Sequence, residues 1–389
     1  MAELVDALDS KSSSGNRVGV RFPLPLPLLG LYRDACPLLS KIQTHFVQPH
    51  TITMAATDKN WQRLLSEAVT NPLHLIEHLR LPATLLPELQ MANQLFSLRV
   101  PAPYLDLIEP GNINDPLLLQ ILPQGRELQQ QNGYSHDPLG EFDTNPHQGI
   151  IHKYRGRLLL IISGACAINC RYCFRRHFPY AQNQLGSAQW QSVLDYLRKH
   201  PEVDEVIFSG GDPLATPDGR LSQMIDDLEQ LPQLKRLRIH SRLPVVIPQR
   251  LTPGLTQRLQ QSRLQVVLVL HINHPREVSR LLQQWLEPLR QSNITLLNQS
   301  VMLKGVNDSS DTLVSLSLVL FEAGILPYYL HLLDPVAGAA HFDIPEAKAR
   351  QLLGALTSRL PGYLVPKLTR EVPEATAKLQ LLPTGLIPG

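Results

Sequence analysis

The chain has 389 residues, with 36 Lys or Arg against 34 Asp or Glu and a formal charge of +2. That balance gives no electrostatic footprint for nucleic acid or an anionic surface, and no apolar run reaches the ~18 residues of a membrane-spanning helix. Four cysteines, three of them clustered, imply a reducing, cytoplasmic setting rather than a disulfide scaffold.

Residues 1–53 read unlike the rest. Lys11-Ser12-Ser13-Ser14-Gly15-Asn16 and Phe22-Pro23-Leu24-Pro25-Leu26-Pro27 show neither helical nor strand periodicity. A signal peptide is the alternative, although prolines interrupt the apolar run and the basic residues are scattered. The opening resembles the translation of a stable-RNA gene lying upstream of a reading frame. The expected native start is therefore Met54, with 1–53 a non-native or disordered extension.

Residues 54–150 form an expected helical accessory region. Trp61, Leu64, Leu65 and Ala68 make one apolar face, and Leu73, Leu75, Ile76 and Leu79 another. Pro72, Pro82 and Pro87 divide it into short helices. From Pro101 to Gln148 the chain is rich in Pro, Gly, Asn and Asp and reads as loops, with one helix near Leu117–Leu122.

From Arg157 the texture changes to apolar strands alternating with amphipathic helices. The strands expected are Arg157–Ser163, Val203–Ser209, Leu237–His240, Leu264–His271, Ile294–Leu303 and Leu326–Leu333. The helices expected run from Ser187 to His200, then over Leu221–Leu231, Thr252–Gln261, Arg276–Gln291, Asp311–Ala323 and Pro345–Arg359. Parallel strands need crossover helices, so six such units over 151–360 predict an α/β barrel or partial barrel. Residues 361–389 form a C-terminal segment.

The polar residues of this region collect where strands end. The first strand runs into Cys166-Ala167-Ile168-Asn169-Cys170-Arg171-Tyr172-Cys173, spaced C-x3-C-x2-C. The next ends in Ser209-Gly210-Gly211-Asp212-Pro213, then come His240-Ser241-Arg242, His271-Ile272-Asn273-His274, Asn298-Gln299-Ser300 with Lys304, and Asp334. Barrel active sites are built at that rim. Three thiolates on a cubane of four irons leave one iron open for chemistry. The other readings are a zinc site with His177 as fourth ligand, or a disulfide pair that leaves one thiol over. Each remaining polar residue has a bland reading too, as a helix cap or turn.

The cysteine spacing resembles the signature of the radical S-adenosylmethionine (SAM) enzymes. Ser209, Gly210, Gly211 and Asp212 resemble the motif with which those enzymes hold the amino group of SAM. Cys173-Phe174-Arg175-Arg176, Pro244-Val245-Val246-Ile247-Pro248-Gln249-Arg250, His271-Ile272-Asn273-His274-Pro275 and Asn298-Gln299-Ser300-Val301 narrow the likeness to the lysine 2,3-aminomutase family, over roughly Pro101 to Lys378.

The resemblance implies a partial TIM-type (β/α)6 barrel with an N-terminal helical layer. It implies a 4Fe–4S cluster on Cys166, Cys170 and Cys173, with Tyr172 and Gln299 near SAM. It also implies pyridoxal 5′-phosphate (PLP) on Lys378, with Lys367 and Lys304 as rival lysines, Tyr154 against the ring, and Arg157 with Lys153 on the phosphate. Arg175 would clamp the substrate carboxylate, and Asp334 and Glu371 the distal ammonium of L-lysine. Glu371 stands where the family has aspartate, and Pro373-Glu374-Ala375-Thr376-Ala377 replaces its glycine-rich stretch. An electron donor such as flavodoxin or ferredoxin is implied.

Cys173-Phe174-Arg175-Arg176-His177-Phe178-Pro179-Tyr180 resembles a shorter bacterial branch, which makes (R)-β-lysine for a ligase that attaches it to elongation factor P. The chain ends eleven residues after Lys378, with no cysteine after Cys173 and Ser309 where the longer enzymes have a zinc-ligating cysteine. The role expected is thus modification of elongation factor P. The alternatives are a metabolic aminomutase, a radical enzyme without PLP, and a binding module without turnover.

Overall fold

The computed structural model describes residues 60–384, apart from 143–147, 184, 374 and 376. The expected extension 1–53 lies outside the described residues. Five short helices come first: α1 (Asn60–Ser66), α2 (Pro72–Leu79), α3 (Leu86–Leu95), α4 (Ala102–Leu105) and α5 (Pro116–Leu119). Asn71 and Asp115 start α2 and α5 by accepting backbone N–H groups with their side chains, and a proline follows each where its missing N–H is not needed.

The alternating region contains β1 (Ile150–Tyr154), β2 (Arg157–Ser163), α6 (Ser187–Lys199), β3 (Glu205–Gly210), α7 (Asp218–Glu229), β4 (Arg236–Ser241), α8 (Leu243–Val246), α9 (Pro253–Gln260), β5 (Gln265–His271), α10 (Arg280–Arg290), β6 (Thr295–Val301), α11 (Ser310–Glu322), β7 (Leu326–His331), α12 (Glu346–Arg359), β8 (Lys367–Arg370) and β9 (Leu379–Gln380). The strands pair in chain order, β1 to β9. Neighbours from β2 to β8 are parallel, while β1 and β9 are antiparallel. The described strands β1 and β9 do not pair, so the barrel is open.

Six βα units, β2–α6 through β7–α12, stand as expected. The correction is at the margins. A seventh parallel strand, β8, and the two antiparallel strands extend the sheet, and 361–389 supplies two of them. A strand covered on both faces reads as a continuous apolar run, which is why Gln265-Val-Val-Leu-Val-Leu-His271 is legible. The helices bury one stripe, as α10 does with Leu282, Leu286 and Leu289.

One core runs through both parts of the fold. Trp61, Leu75, Leu79, Leu98 and Leu117 of the helical layer pack in the same cluster as Leu158, Phe208, Leu237 and Leu268 of the barrel. Because β2 to β8 are parallel, their carboxyl ends share one rim. There stand the cysteine loop, Gly210, Arg242, His271, Asp334 and Glu371.

Candidate active site

The cysteine loop leaves β2 and is anchored by the helical layer. Asn169 N–H donates to Arg99 O at 3.0 Å, and Arg171 N–H to Gln120 O at 2.9 Å. The Arg171 guanidinium, fully buried, donates to both oxygens of Glu127 at 2.8 and 2.6 Å and to Phe96 O at 2.7 Å. Arg176 adds a second cation to Glu127 at 2.7 Å. The layer therefore does more than cover the barrel: it fixes the loop between the second and third cysteines.

From the other side the loop rests on the glycines after β3. Gly211 N–H donates to Ser163 O and Asp212 N–H to Ala165 O, each at 2.8 Å. Gly210 has φ +127°, and a Cβ there would collide with the Ser163 carbonyl. A Cβ on Gly211 would lie 2.7 Å from Ala165 O and 2.8 Å from Gly164 O. Only glycine permits this approach.

Cys166, Cys170 and Cys173 are free and half-buried. Burial, then the neighbouring thiols and Asp212, push the Cys166 thiol well up. Burial and Cys170 push Cys173 up to about 12. Three thiolates there repel one another and are stable together only on a cationic centre. Among the described residues no three His, Cys, Asp or Glu are closed to the geometry of a single ion; a cubane bonds each sulfur to a different iron and holds its ligands further apart.

The side chains expected around SAM are partly committed to protein. Asp212 Oδ1 accepts from Ser241 Oγ at 2.7 Å and Leu214 N–H at 3.0 Å, and Oδ2 from Arg242 and Leu243 N–H at 2.8 and 2.9 Å. It anchors the start of the loop after β4. The Ser209 hydroxyl accepts from Arg175 at 3.0 Å. The Tyr172 hydroxyl is met by Arg242 and Asn273, each at 2.7 Å. Gln299 Nε2 lies 3.0 Å from His271 Nε2. Arg242 Nε is buried without a partner, a donor left over at this rim.

Arg175 is buried, and its Nε and Nη2 donate as one fork to the two oxygens of Glu141, at 2.7 and 2.8 Å. Glu141 thus occupies the fork of the guanidinium expected to hold the substrate's carboxylate, and Ser209 takes Nη1.

On the far side of the rim, β8 and β9 bring Glu371 and Lys378 together as an ion pair. Tyr154 donates to the other Glu371 oxygen at 3.1 Å. Burial raises Glu371's pKa, but Lys378 overrides it and holds the carboxyl below its usual range. Burial, then repulsion by Glu371, push Asp334 up to about 7. The Arg157 guanidinium lies 4.0 Å from the Tyr154 ring centroid, and Lys153 Nζ donates to Leu139 O at 3.0 Å. Lys378 is partly buried and stands 5.9 Å from the Tyr329 ring, whereas Lys367 and Lys304 are exposed. Burial holds His271 and His331 down at about 3, so both face the site as neutral imidazoles.

Residues 160–315 match the Radical SAM superfamily. The chain is 51% identical over 315 residues to the L-lysine 2,3-aminomutase of Haemophilus influenzae, covering 81% of this chain and 93% of that protein. It is 48% identical over 334 residues to that of Escherichia coli K12, with 85% and 97% covered. For that of Buchnera aphidicola the identity is 42% over 325 residues, with 83% and 95% covered. The chain belongs to the lysine 2,3-aminomutase family.

As a family member it is a radical SAM enzyme of the isomerase class, and that domain implies a 4Fe–4S cluster with SAM. The donor set fits: three clustered thiols, and two adjacent glycines that keep the rim free of side chains. The aminomutase site also contains residues that motif reading passed over. Glu141 lies in a loop without periodicity and gives no local sign. Glu127 likewise reads as one charge in a turn. Arg242 was legible only as a polar residue at a strand end, because its partners Tyr104, Gln120 and Glu277 lie 138, 122 and 35 residues away.

Proposed function

We propose that this protein is a radical SAM, PLP-dependent L-lysine 2,3-aminomutase that converts L-α-lysine to (R)-β-lysine. The observation that carries the reading is the place of the Lys378 ammonium: it is paired with Glu371 beside Asp334. The rim thus accommodates an alkylammonium between two acids, as the distal end of lysine requires. The names of the relatives support the substrate.

A cluster on the three cysteines, with SAM, would supply a carbon-centred radical, and PLP would supply a conjugated π-system next to the migrating nitrogen. Lys378 is the amine for its aldehyde, Arg157 and Lys153 are the cations for its phosphate, and Tyr154 is the ring neighbour. Arg175 holds the substrate carboxylate, while Asp334 and Glu371 hold its ammonium and fix which carbon faces the radical. Cys166, Cys170 and Cys173 ligate the cluster, and Ser209, Gly210, Gly211, Asp212, Tyr172 and Gln299 build the SAM side.

We propose further that the product serves elongation factor P through a separate ligase, that flavodoxin or ferredoxin supplies the electron, and that the enzyme works in the cytoplasm. No described helix is long and apolar enough to cross a membrane. The elongation factor P role rests on the likeness of residues 173–180. Deleting the gene and weighing intact elongation factor P tests it. The expected result is loss of the β-lysyl mass, restored by added β-lysine. A factor of unchanged mass in the deletion strain contradicts the role.

A further inference from the structure

We infer that Arg242 is a positioning residue for the cluster. Held by the N-terminal layer, it donates to the Cys170 sulfur and raises the potential at which the cluster accepts its electron. The inference rests on the reading that the three cysteines hold a 4Fe–4S cluster.

Arg242 is the first residue after β4. Its main chain is pinned to Asp212, which takes both the Arg242 and Leu243 N–H groups. Its guanidinium is buried. Nη1 donates to Cys170 Sγ and to the Tyr172 hydroxyl, both at 2.7 Å. Nη2 donates to Glu277 Oε1 and Gln120 Oε1, both at 2.7 Å, and to the Tyr104 hydroxyl at 3.3 Å. Glu277 is itself fixed, its Oε2 taking the Asn273 and His274 N–H groups at 2.8 Å each. Two of the anchors, Tyr104 and Gln120, belong to the helical layer. Five acceptors thus hold the guanidinium at the sulfur.

The chemistry follows from charge. A thiolate-ligated cluster becomes more negative when it takes an electron. A fixed cation and an N–H donor on a ligand sulfur stabilise the reduced form more than the oxidised one. Hydrogen bonds to sulfur and local charge are the protein's levers on such potentials. Glu277 offsets part of the charge but pairs with the other terminal nitrogen, leaving Nη1 to the sulfur and the Tyr172 hydroxyl.

The test is a redox titration of the anaerobically reconstituted full chain, without SAM, following the reduced cluster by electron paramagnetic resonance. Arg242→Gln should lower the ratio of reduced to oxidised cluster at fixed potential by about tenfold, which for one electron is about 59 mV towards more negative values. Arg242→Lys, which keeps the charge, should move it less. Glu277→Gln removes the compensating anion and should move the midpoint the opposite way. A merely structural Arg242 would not give shifts of opposite sign. An unchanged midpoint in Arg242→Gln with an intact cluster spectrum overturns the inference. If Arg242→Gln does not fold, Glu277→Gln decides alone, and no upward shift there overturns it. A wild-type chain with no cubane signal overturns the cluster reading itself, and is told apart because the parent fails as well.

Discussion

Asp334 and Glu371, the two acids proposed for the distal ammonium of lysine, differ in environment. Glu371 is neutralised by Lys378, while Asp334 is left half-buried and pushed up to about 7 by burial and by Glu371. Binding an ammonium requires Asp334 to be ionised. L-Lysine affinity should therefore rise about tenfold between about pH 6 and pH 8, since one unit of pKa is a tenfold change. Asp334→Asn should flatten that profile and weaken lysine binding by roughly tenfold to a hundredfold, the worth of a charge-assisted hydrogen bond. SAM binding should change little; equal losses for both ligands by calorimetry would make Asp334 structural. The linkage to folding has the opposite sign. Asp334 holds its proton more tightly in the folded chain, so its contribution to stability falls as pH rises from about 4 through 7. Lys378→Ala should abolish the visible absorption of PLP-loaded protein, and Lys367→Ala should leave it. A band retained in Lys378→Ala would move the assignment to another lysine.

At the scale of elements, the cysteine loop is held between two supports. One is the Gly210-Gly211 turn, where an added Cβ meets the Ser163, Gly164 and Ala165 carbonyls. Gly211→Ala should displace the loop and cost the cluster occupancy, read as the iron-to-protein ratio after reconstitution; full occupancy would show that the loop tolerates a side chain. The other support is Glu127, buried under Arg171 and Arg176. Glu127→Ala leaves two buried cations without their partner and should destabilise the fold by about 3–5 kcal/mol, measured by denaturant titration. These supports also show where sequence reading stops. The strand at 157–163 is legible because Arg157-Leu-Leu-Leu-Ile-Ile-Ser163 is covered on both faces. The strands at 150–154 and 367–370 are not, because Ile150-Ile-His-Lys-Tyr154 and Lys367-Leu-Thr-Arg370 are short, mix charge with apolar residues and lie at the sheet margins. Asp212 shows the same limit for sites. Its motif predicts a cofactor contact, yet its oxygens take four donors from the protein. Pairings such as Arg175 with Glu141, 34 residues apart, have no local period to reveal them.

Across the whole molecule, the six βα units bring the three thiols, the glycine turn, Arg175 and Asp334 to one rim, and the next strand, β8, adds Glu371. That much follows from strand ends alone, since parallel strands must open their loops on the same side. What the helical layer contributes, a hold on Arg171 and Arg242, emerges only from contacts across more than a hundred residues of chain for Arg242. The function proposed for this arrangement is to hold lysine by both ends while nitrogen moves one carbon. The direct test is anaerobic incubation of the reconstituted chain with isotopically labelled L-lysine, SAM, PLP and a reductant, followed by chiral chromatography of the amino acids. The account predicts label in (R)-β-lysine, with loss of product in Cys170→Ala. Lysine recovered unchanged, while wild type still cleaves SAM to 5′-deoxyadenosine, would contradict it.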